Sequence, residues 1–165
     1  MQKDHVDQIL DHWKRERPEL DSSPVAVIGR ISRIAGHLEK RLQDNYSRFR
    51  LNGGEFDVLA SLRRSGAPYQ LTPTELYNSL MITSGTMTAR MDRLEKAGLI
   101  SRQPNPADRR GTLVTLTGRG LELVNRAYPA HLAHEESLLS ALSPRERDTL
   151  ARLLRKLLLS CEEDV

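Results

Sequence analysis

Four side chains in one predicted helix have the types and spacing expected of a surface that holds DNA. The helix is predicted at about residues 84–97, because apolar residues repeat at helical spacing and Gly98 follows as a stop. Its polar face carries three hydroxyl residues and one arginine: Ser84, Thr86, Thr88 and Arg93. Small hydroxyl side chains let a helix lie deep in the major groove, and an arginine there bonds a phosphate or a guanine. Taken alone, the pattern also fits an amphipathic helix whose hydroxyl groups are solvated.

A basic hairpin follows this helix and favours the DNA interpretation. Its predicted strands and connecting loop lie at Leu99–Arg102, Thr112–Leu116 and Gln103–Gly111. Near the tip of the loop, Asp108 stands beside Arg109 and two residues before Arg110. A carboxylate in that place can hold an arginine extended, which suits insertion into a narrow minor groove; a solvated charged turn is the alternative. Helix and hairpin together predict a winged helix-turn-helix, with the wing at about residues 99–116.

The net charge of +3 is small, but its distribution is uneven. The segment from residue 83 to 120 carries seven basic and three acidic residues, so its net charge is +4 and the remaining chain sums to −1. A positive footprint confined to the predicted helix and wing is typical of a surface that binds the DNA backbone.

Helical periodicity predicts further helices around this unit, at about residues 4–17, 24–49, 55–64, 73–80, 118–142 and from 144 onward. The segment Thr72-Pro73-Thr74-Glu75 is a capping box with proline at the first helical position, and Thr117 and Ser143 are predicted caps. The predicted fold is mainly α with a small β-hairpin and about seven helices. We expect one domain over residues 1–165, with a DNA-binding lobe at 53–117.

Long apolar stripes near both ends of the chain predict a two-fold dimer. The helix at 24–49 spans about 37 Å at ~1.5 Å per residue, more than the width of a small domain. A chain of 165 residues has little other core to bury such faces, so residues 1–50 and 118–165 are expected at a homodimer interface. Two recognition helices would then lie about 34 Å apart and prefer a palindromic operator. The alternative is that these helices pack on their own chain.

Missing motifs exclude several classes of protein. The sequence has no phosphate loop, nucleophile elbow or HExxH motif, so we expect neither enzyme activity nor a cofactor. No run is apolar enough to cross a bilayer and the N-terminus lacks the core of a signal peptide, so no membrane partner is expected and the cytoplasm is the default compartment. The single cysteine, Cys161, leaves no internal disulfide.

One pair of histidines has helical spacing. His131 and His134 with Glu135 form a possible zinc-ligand set, to which other histidines could add. A solvated helix face explains the same spacing and is the preferred interpretation, so no metal is predicted.

The residues of the predicted helix and wing resemble the MarR family of bacterial transcription regulators. The likeness rests on Gly85-Thr86-Met87-Thr88, Arg93-Leu94-Glu95-Lys96-Ala97-Gly98-Leu99-Ile100, Arg102, Pro106-Ala107-Asp108-Arg109-Arg110 and Leu116-Thr117-Gly118-Arg119-Gly120. The resemblance implies a dimeric regulator, a repressor or sometimes an activator, that binds double-stranded DNA. It also implies that DNA affinity falls when a small aromatic or anionic ligand binds.

A narrower likeness is to the PecS and urate-responsive branch of that family, which has an extra first helix. The segment Trp13-Lys14-Arg15-Glu16-Arg17-Pro18-Glu19-Leu20-Asp21 resembles that helix. The branch has four ligand-linked residues: a Trp on the extra helix, an Asp before the helix-turn-helix, an Arg on the recognition helix and an Arg at the start of the wing. They match Trp13, Asp57, Arg90 and Arg102 here. The resemblance implies that these four residues bind a small aromatic anion, such as urate or a hydroxylated aromatic acid.

The chemistry of these residues is consistent with a sensor. On the helical wheel, Arg90 lies at the flank of the recognition helix, about 70° from the centre of its buried face. A planar anion could stack on Trp13 and pair with Arg90, while Asp57 bonds a ring N–H. Three alternatives stay open: a structural Asp57–Arg90 ion pair with Trp13 in the core, a constitutive DNA-binding protein without a ligand, and a zinc-responsive regulator.

Overall fold

The computed structural model describes residues 2–80, 87–106 and 108–163, without the side chains of residues 108–110. The elements of the described chain are α1 His5–Glu16, α2 Ser23–Ser47, α3 Gly53–Arg64, β1 Gln70–Leu71, α4 Pro73–Ser79, α5 Met87–Lys96, β2 Ile100–Asn105, β3 Asp108–Leu116, α6 Gly118–Leu138 and α7 Pro144–Glu163. The mainly α fold with seven helices and a small antiparallel sheet is therefore confirmed for these residues.

The chain divides into two compact units, residues 1–44 and residues 45–165. In the first unit, the guanidinium of Arg30 on α2 pairs with Asp4 at 2.8 Å and with Asp7 at 2.6 Å. Asp4 is also the N-cap of α1 and forms a reciprocal capping box with Asp7. Val6, only 2% exposed, packs against Gly29 of α2. The first helix is thus tied to the second by both charge and apolar contact.

Helix α3 is the centre of the second unit. It packs against α4, α5, α6 and β3. Three of its apolar side chains, Val58, Leu59 and Leu62, are completely buried. Around them lie Leu76 from α4, Leu94 from α5, Val114 from β3 and Val124 from α6, each at most 1% exposed. Burial of this kind contributes about 1.5–3 kcal/mol per large aliphatic side chain, so this core fixes α5 on the surface of α3.

The helix starts follow the predicted caps. The Thr72 hydroxyl accepts a hydrogen bond from the backbone N–H of Glu75 at 3.2 Å, and the Glu75 carboxylate accepts from the backbone N–H of Thr72 at 2.8 Å. Ser143 and Glu146 make the matching contact at the start of α7, from Ser143 N–H to the carboxylate at 2.8 Å. Helix α3 begins two residues earlier than predicted, because Asn52 caps it and forms a capping box with Glu55.

The sheet corrects the predicted hairpin in two respects. It has three strands in the order β1-β3-β2, because Gln70 and Leu71 pair with β3. Strands β2 and β3 also extend to Asn105 and from Asp108, so the predicted long loop Gln103–Gly111 was wrong. Pro104 does not end β2, because β2 is an edge strand and needs no inward N–H at that position. The register shifts immediately after Pro104.

A tight junction joins the start of the wing to α6. The hydroxyl of Thr117 donates to the carbonyl of Gly98 at 2.8 Å and accepts from the N–H of Gly120 at 3.0 Å. The backbone of Gly120 lies so close to the carbonyl of Leu99 that a Cβ at this position would stand 2.9 Å from the Leu99 carbonyl carbon and overlap its oxygen. Gly120 is therefore required by close approach of two backbones.

Helix α7 has no buried residue in the single chain. Its apolar stripe stays open to solvent, with Leu153 at 52% and Leu158 at 57% exposure. In the ranges that the structure describes, no helix is long and apolar enough to cross a membrane.

Candidate nucleic-acid interface and effector site

Helix α5, the described part of the predicted recognition helix, has one buried and one open face. Met91 and Leu94 are 6% and 1% exposed and hold the helix on the core. On the opposite side, Thr88 and Arg93 are exposed, as the DNA-binding prediction requires. Ser84 and Thr86 lie outside the described residues, and so do the side chains of Arg109 and Arg110. Their assignment to DNA stays a prediction.

One flank of α5 is tied to α3 by a partly buried ion pair. Nε of Arg93 donates to Oε1 of Glu55 at 2.6 Å, and the Glu55 side chain is 11% exposed. The other oxygen of Glu55 accepts from the backbone N–H of Asn52 at 3.0 Å. Glu55 therefore caps α3 and orients a predicted DNA-binding arginine at the same time. The sequence interpretation missed this role, although the spacing of Asn52 and Glu55 is that of a capping box.

The other flank of α5 is joined to the wing by ion pairs in which the acidic residues lie on α5 and the arginine lies on the wing. The Nη2 atom of Arg102 on β2 lies 2.7 Å from Asp92 and 2.5 Å from Glu95. The backbone N–H of Arg102 also donates to Glu95 at 3.1 Å. The hydrogen bond from Arg102 lowers the pKa of the Glu95 carboxyl below its ordinary value. Because Asp92 and Glu95 lie far around the helix from Arg90, the guanidinium groups of Arg102 and Arg90 are on different sides of α5.

Arg90 is a buried cation, only 6% exposed. Its guanidinium lies directly against Gly54 in the first turn of α3, so closely that a Cβ on Gly54 would stand 2.7 Å from Cζ. Asp57, also 6% exposed, follows Gly54 by three residues and shares its face of α3. The structure thus buries two of the four predicted ligand-linked residues, Arg90 against the first turn of α3 and Asp57 one turn further along that helix. Gly54 is a further residue of this place that sequence reasoning missed.

Trp13 belongs to the first unit, and the residue is 46% exposed. It lies on α1 beside Ile9, His12 and Glu16, which line a shallow cavity of about 270 Å³ with it. An indole half open to solvent is not a core residue within its own unit. Its position relative to Asp57 and Arg90 stays a prediction.

An aromatic cluster lies next to Asp57. The ring of Tyr46 stacks on Phe56 at 4.6 Å between centroids, and His131 lies 4.8 Å from Phe56. Burial, together with the charges of Glu135 and Asp57, raises the pKa of Tyr46 to about 12. The solvated helix face predicted for His131 was wrong, since its side chain is only 12% exposed. Among the described residues, no group of three His, Cys, Asp or Glu is placed to hold a metal ion.

Burial makes His131 a source of acid sensitivity. It lowers the pKa of this imidazole below 6.5, against the opposing charge of Glu135 3.2 Å away. The unfolded chain therefore takes up the proton more readily, so stability is complete above pH 6.5 and is lost as pH falls below it. We expect a His131→Gln variant to lose less stability than the wild type between pH 7.5 and 5.5, by at most about 1.4 kcal/mol per pH unit.

Urea unfolding at the two pH values measures this difference. A His37→Gln variant is the control, because it removes an exposed histidine from α2. Equal pH dependence in the wild type and the His131→Gln variant would show that His131 titrates normally in the folded protein.

Known proteins resemble this chain over most of its length. The model of the MarR family matches residues 51–112. The regulator PecS of Dickeya dadantii strain 3937 is 42% identical over 149 residues, which is 90% of each chain. The multiple antibiotic resistance protein MarR of Escherichia coli K12 is 34% identical, over 81% of this chain and 92% of its own.

Solved structures have the same fold. A structure of a MarR mutant from Escherichia coli complexed with operator DNA matches with a TM-score of 0.71 and 30% identity, over 84% of this chain and 99% of that one. A structure of BpsR from Bordetella bronchiseptica, which concerns regulation of its DNA binding by 6-hydroxynicotinic acid, matches with a TM-score of 0.71 and 29% identity. That match covers 79% of this chain and 91% of that one.

Proposed function

This chain belongs to the MarR family of DNA-binding transcriptional regulators, and we propose that it is a ligand-responsive repressor that binds a palindromic operator as a homodimer. A small aromatic anion, such as urate or a hydroxylated aromatic acid, releases it from DNA. The observation that carries the effector proposal is the buried guanidinium of Arg90 at the start of α3. The proposal places the protein in the cytoplasm, with access to the DNA that it regulates.

The dimer proposal is supported by the apolar faces that the single chain leaves open. Helix α7 exposes six leucines at 38–57%: Leu150, Leu153, Leu154, Leu157, Leu158 and Leu159. In the first unit, α2 exposes Val27, Ile28 and Ile34 at 55–57%. Contiguous apolar faces of this size mark protein interfaces, and a two-fold dimer is typical of this family. Burial of these faces in a second copy would also place two recognition helices for the two halves of a palindrome.

The effector proposal follows from the position of a charge. A buried cation favours any anion that can reach it, because water there is largely excluded. Arg90 also lies beside the first turn of α3, and the dipole at the start of a helix favours an anion at that place. Arg90 belongs to α5, which carries the predicted DNA contacts, so a ligand on its guanidinium acts directly on the recognition helix.

Asp57 supplies the second half of the proposed switch. A ring N–H of the ligand would donate to this carboxylate while the anionic group pairs with Arg90. A ligand that draws Arg90 from its place against α3 would act on α5 and, through the ion pairs on its two flanks, on α3 and the wing as well. A coupling of ~1–3 kcal/mol between the two sites corresponds to a loss of DNA affinity of about 5- to 150-fold. Arg102 is proposed to respond at the other flank of α5, through Asp92 and Glu95.

Trp13 is proposed to stack on the ligand ring from α1. We expect a Trp13→Ala variant to bind operator DNA as the wild type does, but to need several-fold to about tenfold more ligand for release. An aromatic stacking pair contributes about 0.5–1.5 kcal/mol, which sets that range. The measurement is anisotropy of labelled operator, selected from random duplex DNA, during titration with urate or a hydroxylated aromatic acid.

Two controls make this test decisive. Trp13 is the only tryptophan, so quenching of its fluorescence by the ligand reports on one place. A Trp13→Phe variant keeps a stacking ring and should retain release while losing the signal. Release that persists unchanged in Trp13→Ala would place the effector elsewhere. No response of the wild type to any of these ligands would favour a constitutive regulator.

A further inference from the structure

Arg50 occupies a backbone position that usually belongs to glycine. The chain leaves α2 in a Schellman turn, in which the N–H of Leu51 donates to the carbonyl of Tyr46 at 3.2 Å and that of Arg50 to Ser47 at 3.0 Å. The residue in the left-handed conformation of this turn is Arg50, with φ 58°. A Cβ is unfavourable there. Because backbone strain of this kind is concentrated at functional sites, the exposed side chain of Arg50 requires an explanation.

Arg50 lines a cavity whose lining residues carry more positive than negative charge. The cavity has a volume of about 350 Å³, and its charged lining residues are Arg50, Glu55, Arg93 and Lys96. Glu55 is already engaged, because one oxygen accepts from Arg93 and the other from the backbone of Asn52. In the part of the chain that the structure describes, neither Arg50 nor Lys96 pairs with a carboxylate.

Two exposed cations therefore face one cavity without a counterion. Both cations reduce the stability of the folded protein. Arg50 does so through its left-handed backbone conformation, and both do so because two positive charges at one cavity repel each other. An anion held between them would remove the repulsion. The apolar floor of Leu51, Leu94 and Leu99 keeps the guanidinium and ammonium groups at the rim, where a large anion can reach them.

The position of Lys96 on α5 identifies the anion. Lys96 shares the open face of α5 with Thr88 and follows it by eight residues, about 12 Å along the axis at ~1.5 Å per residue. The major groove is itself about 12 Å wide. When the start of the recognition helix lies in the groove, Lys96 lies at the groove edge, where the phosphates are. We infer that Arg50 and Lys96 each bind a backbone phosphate of the operator at this cavity, in addition to the helix and wing contacts predicted from the sequence.

This inference rests on the proposed binding to DNA and is tested by the salt dependence of that binding. The variants are Arg50→Gln, Lys96→Gln and the double variant, with Arg126→Gln on α6 as a control for loss of an exposed arginine. Affinity for operator duplex, selected from random DNA by the wild-type protein, is measured by anisotropy at several KCl concentrations. Each phosphate contact contributes about 0.9 to the slope of log affinity against log salt. We expect the slope to fall by about one unit in each single variant and about two in the double variant.

The outcomes separate this inference from the proposed function. An unchanged slope in both single variants, or an equal fall in Arg126→Gln, would overturn it while DNA binding itself stands. Failure of the wild type to bind any duplex would overturn both. Inorganic phosphate is also titrated calorimetrically without DNA: binding of phosphate combined with unchanged DNA slopes would assign the cavity to a free anion and overturn the inference.

An Arg50→Gly variant tests whether the side chain serves the fold instead. Glycine adopts the left-handed conformation freely, so the melting temperature should not fall below that of the wild type. The salt slope should nevertheless fall by about one unit, as in Arg50→Gln. A melting temperature that falls while the salt slope stays unchanged would show that Arg50 is structural and would contradict the inference.

Discussion

Replacing Gly54 by alanine is expected to raise the effector concentration needed for DNA release by about 10- to 100-fold. The new Cβ would stand 2.7 Å from Cζ of Arg90, so the guanidinium must leave its place against α3. If the effector pairs with that guanidinium, its displacement removes a charge-assisted hydrogen bond of about 1.5–3 kcal/mol, which sets the expected range. The measurement is the midpoint of effector-induced release in the anisotropy assay.

Gly53→Ala is the matched control. It makes the same chemical change one residue earlier in the first turn of α3, but its Cβ would meet only the ring of Tyr46, at 3.4 Å. Both variants gain helix propensity, so a difference between them isolates the displacement of Arg90. A Gly54→Ala protein with the wild-type release midpoint would show that the effector does not depend on the position of this guanidinium.

Among these glycine-to-alanine replacements, that of Gly120 is expected to cause the largest loss of stability. The obstacle here is backbone, since the Cβ would overlap the carbonyl oxygen of Leu99 and lie 2.9 Å from its carbonyl carbon. Overpacking of this kind costs about 1–3 kcal/mol, and more when no side chain can move aside. For a chain of this size the melting temperature should fall by several degrees, at roughly 2–4 °C per kcal/mol.

Gly118→Ala is the control for Gly120, because no atom lies within 4 Å of the Cβ that it would add. The two glycines stand in the same turn, after the cap Thr117. Calorimetric melting of both variants separates the close approach from general effects on this turn. Similar melting temperatures in both would mean that the start of α6 can move away from the wing at little cost.

The sequence predicted the helices and their caps well, because these features depend on neighbouring residues. Thr72 with Glu75 and Ser143 with Glu146 follow local rules, and both pairs make the expected bonds. The strand Gln70–Leu71 was missed because two residues carry no periodicity and pair with a partner more than forty residues away. Long-range pairing is decided by the packed core, which no local pattern contains.

In the candidate site, too, the sequence predicted some features, while others depend on contacts that only the fold creates. The family likeness predicted the types of Asp57 and Arg90, but spacing alone could not show that Arg90 lies against Gly54. Glu55 looked like an ordinary residue in the first turn of a helix, whereas it is buried and bonded to Arg93. Such contacts arise between elements distant in sequence. The roles of Trp13 and Arg102 toward a ligand remain predictions for the experiments above.

The ion pairs on the two flanks of α5 restrict how the recognition helix can move. Arg93 holds it to α3 on one side, and Asp92 and Glu95 hold it to the wing on the other. Rotation of the helix about its own axis would stretch at least one of these tethers, while a tilt that carries α3 and the wing along would stretch neither. An effector should therefore move α3, α5 and the wing together. In a dimer, that motion changes the distance between the two recognition helices. Operators with altered half-site spacing, rather than altered bases, should therefore best distinguish the free from the liganded regulator.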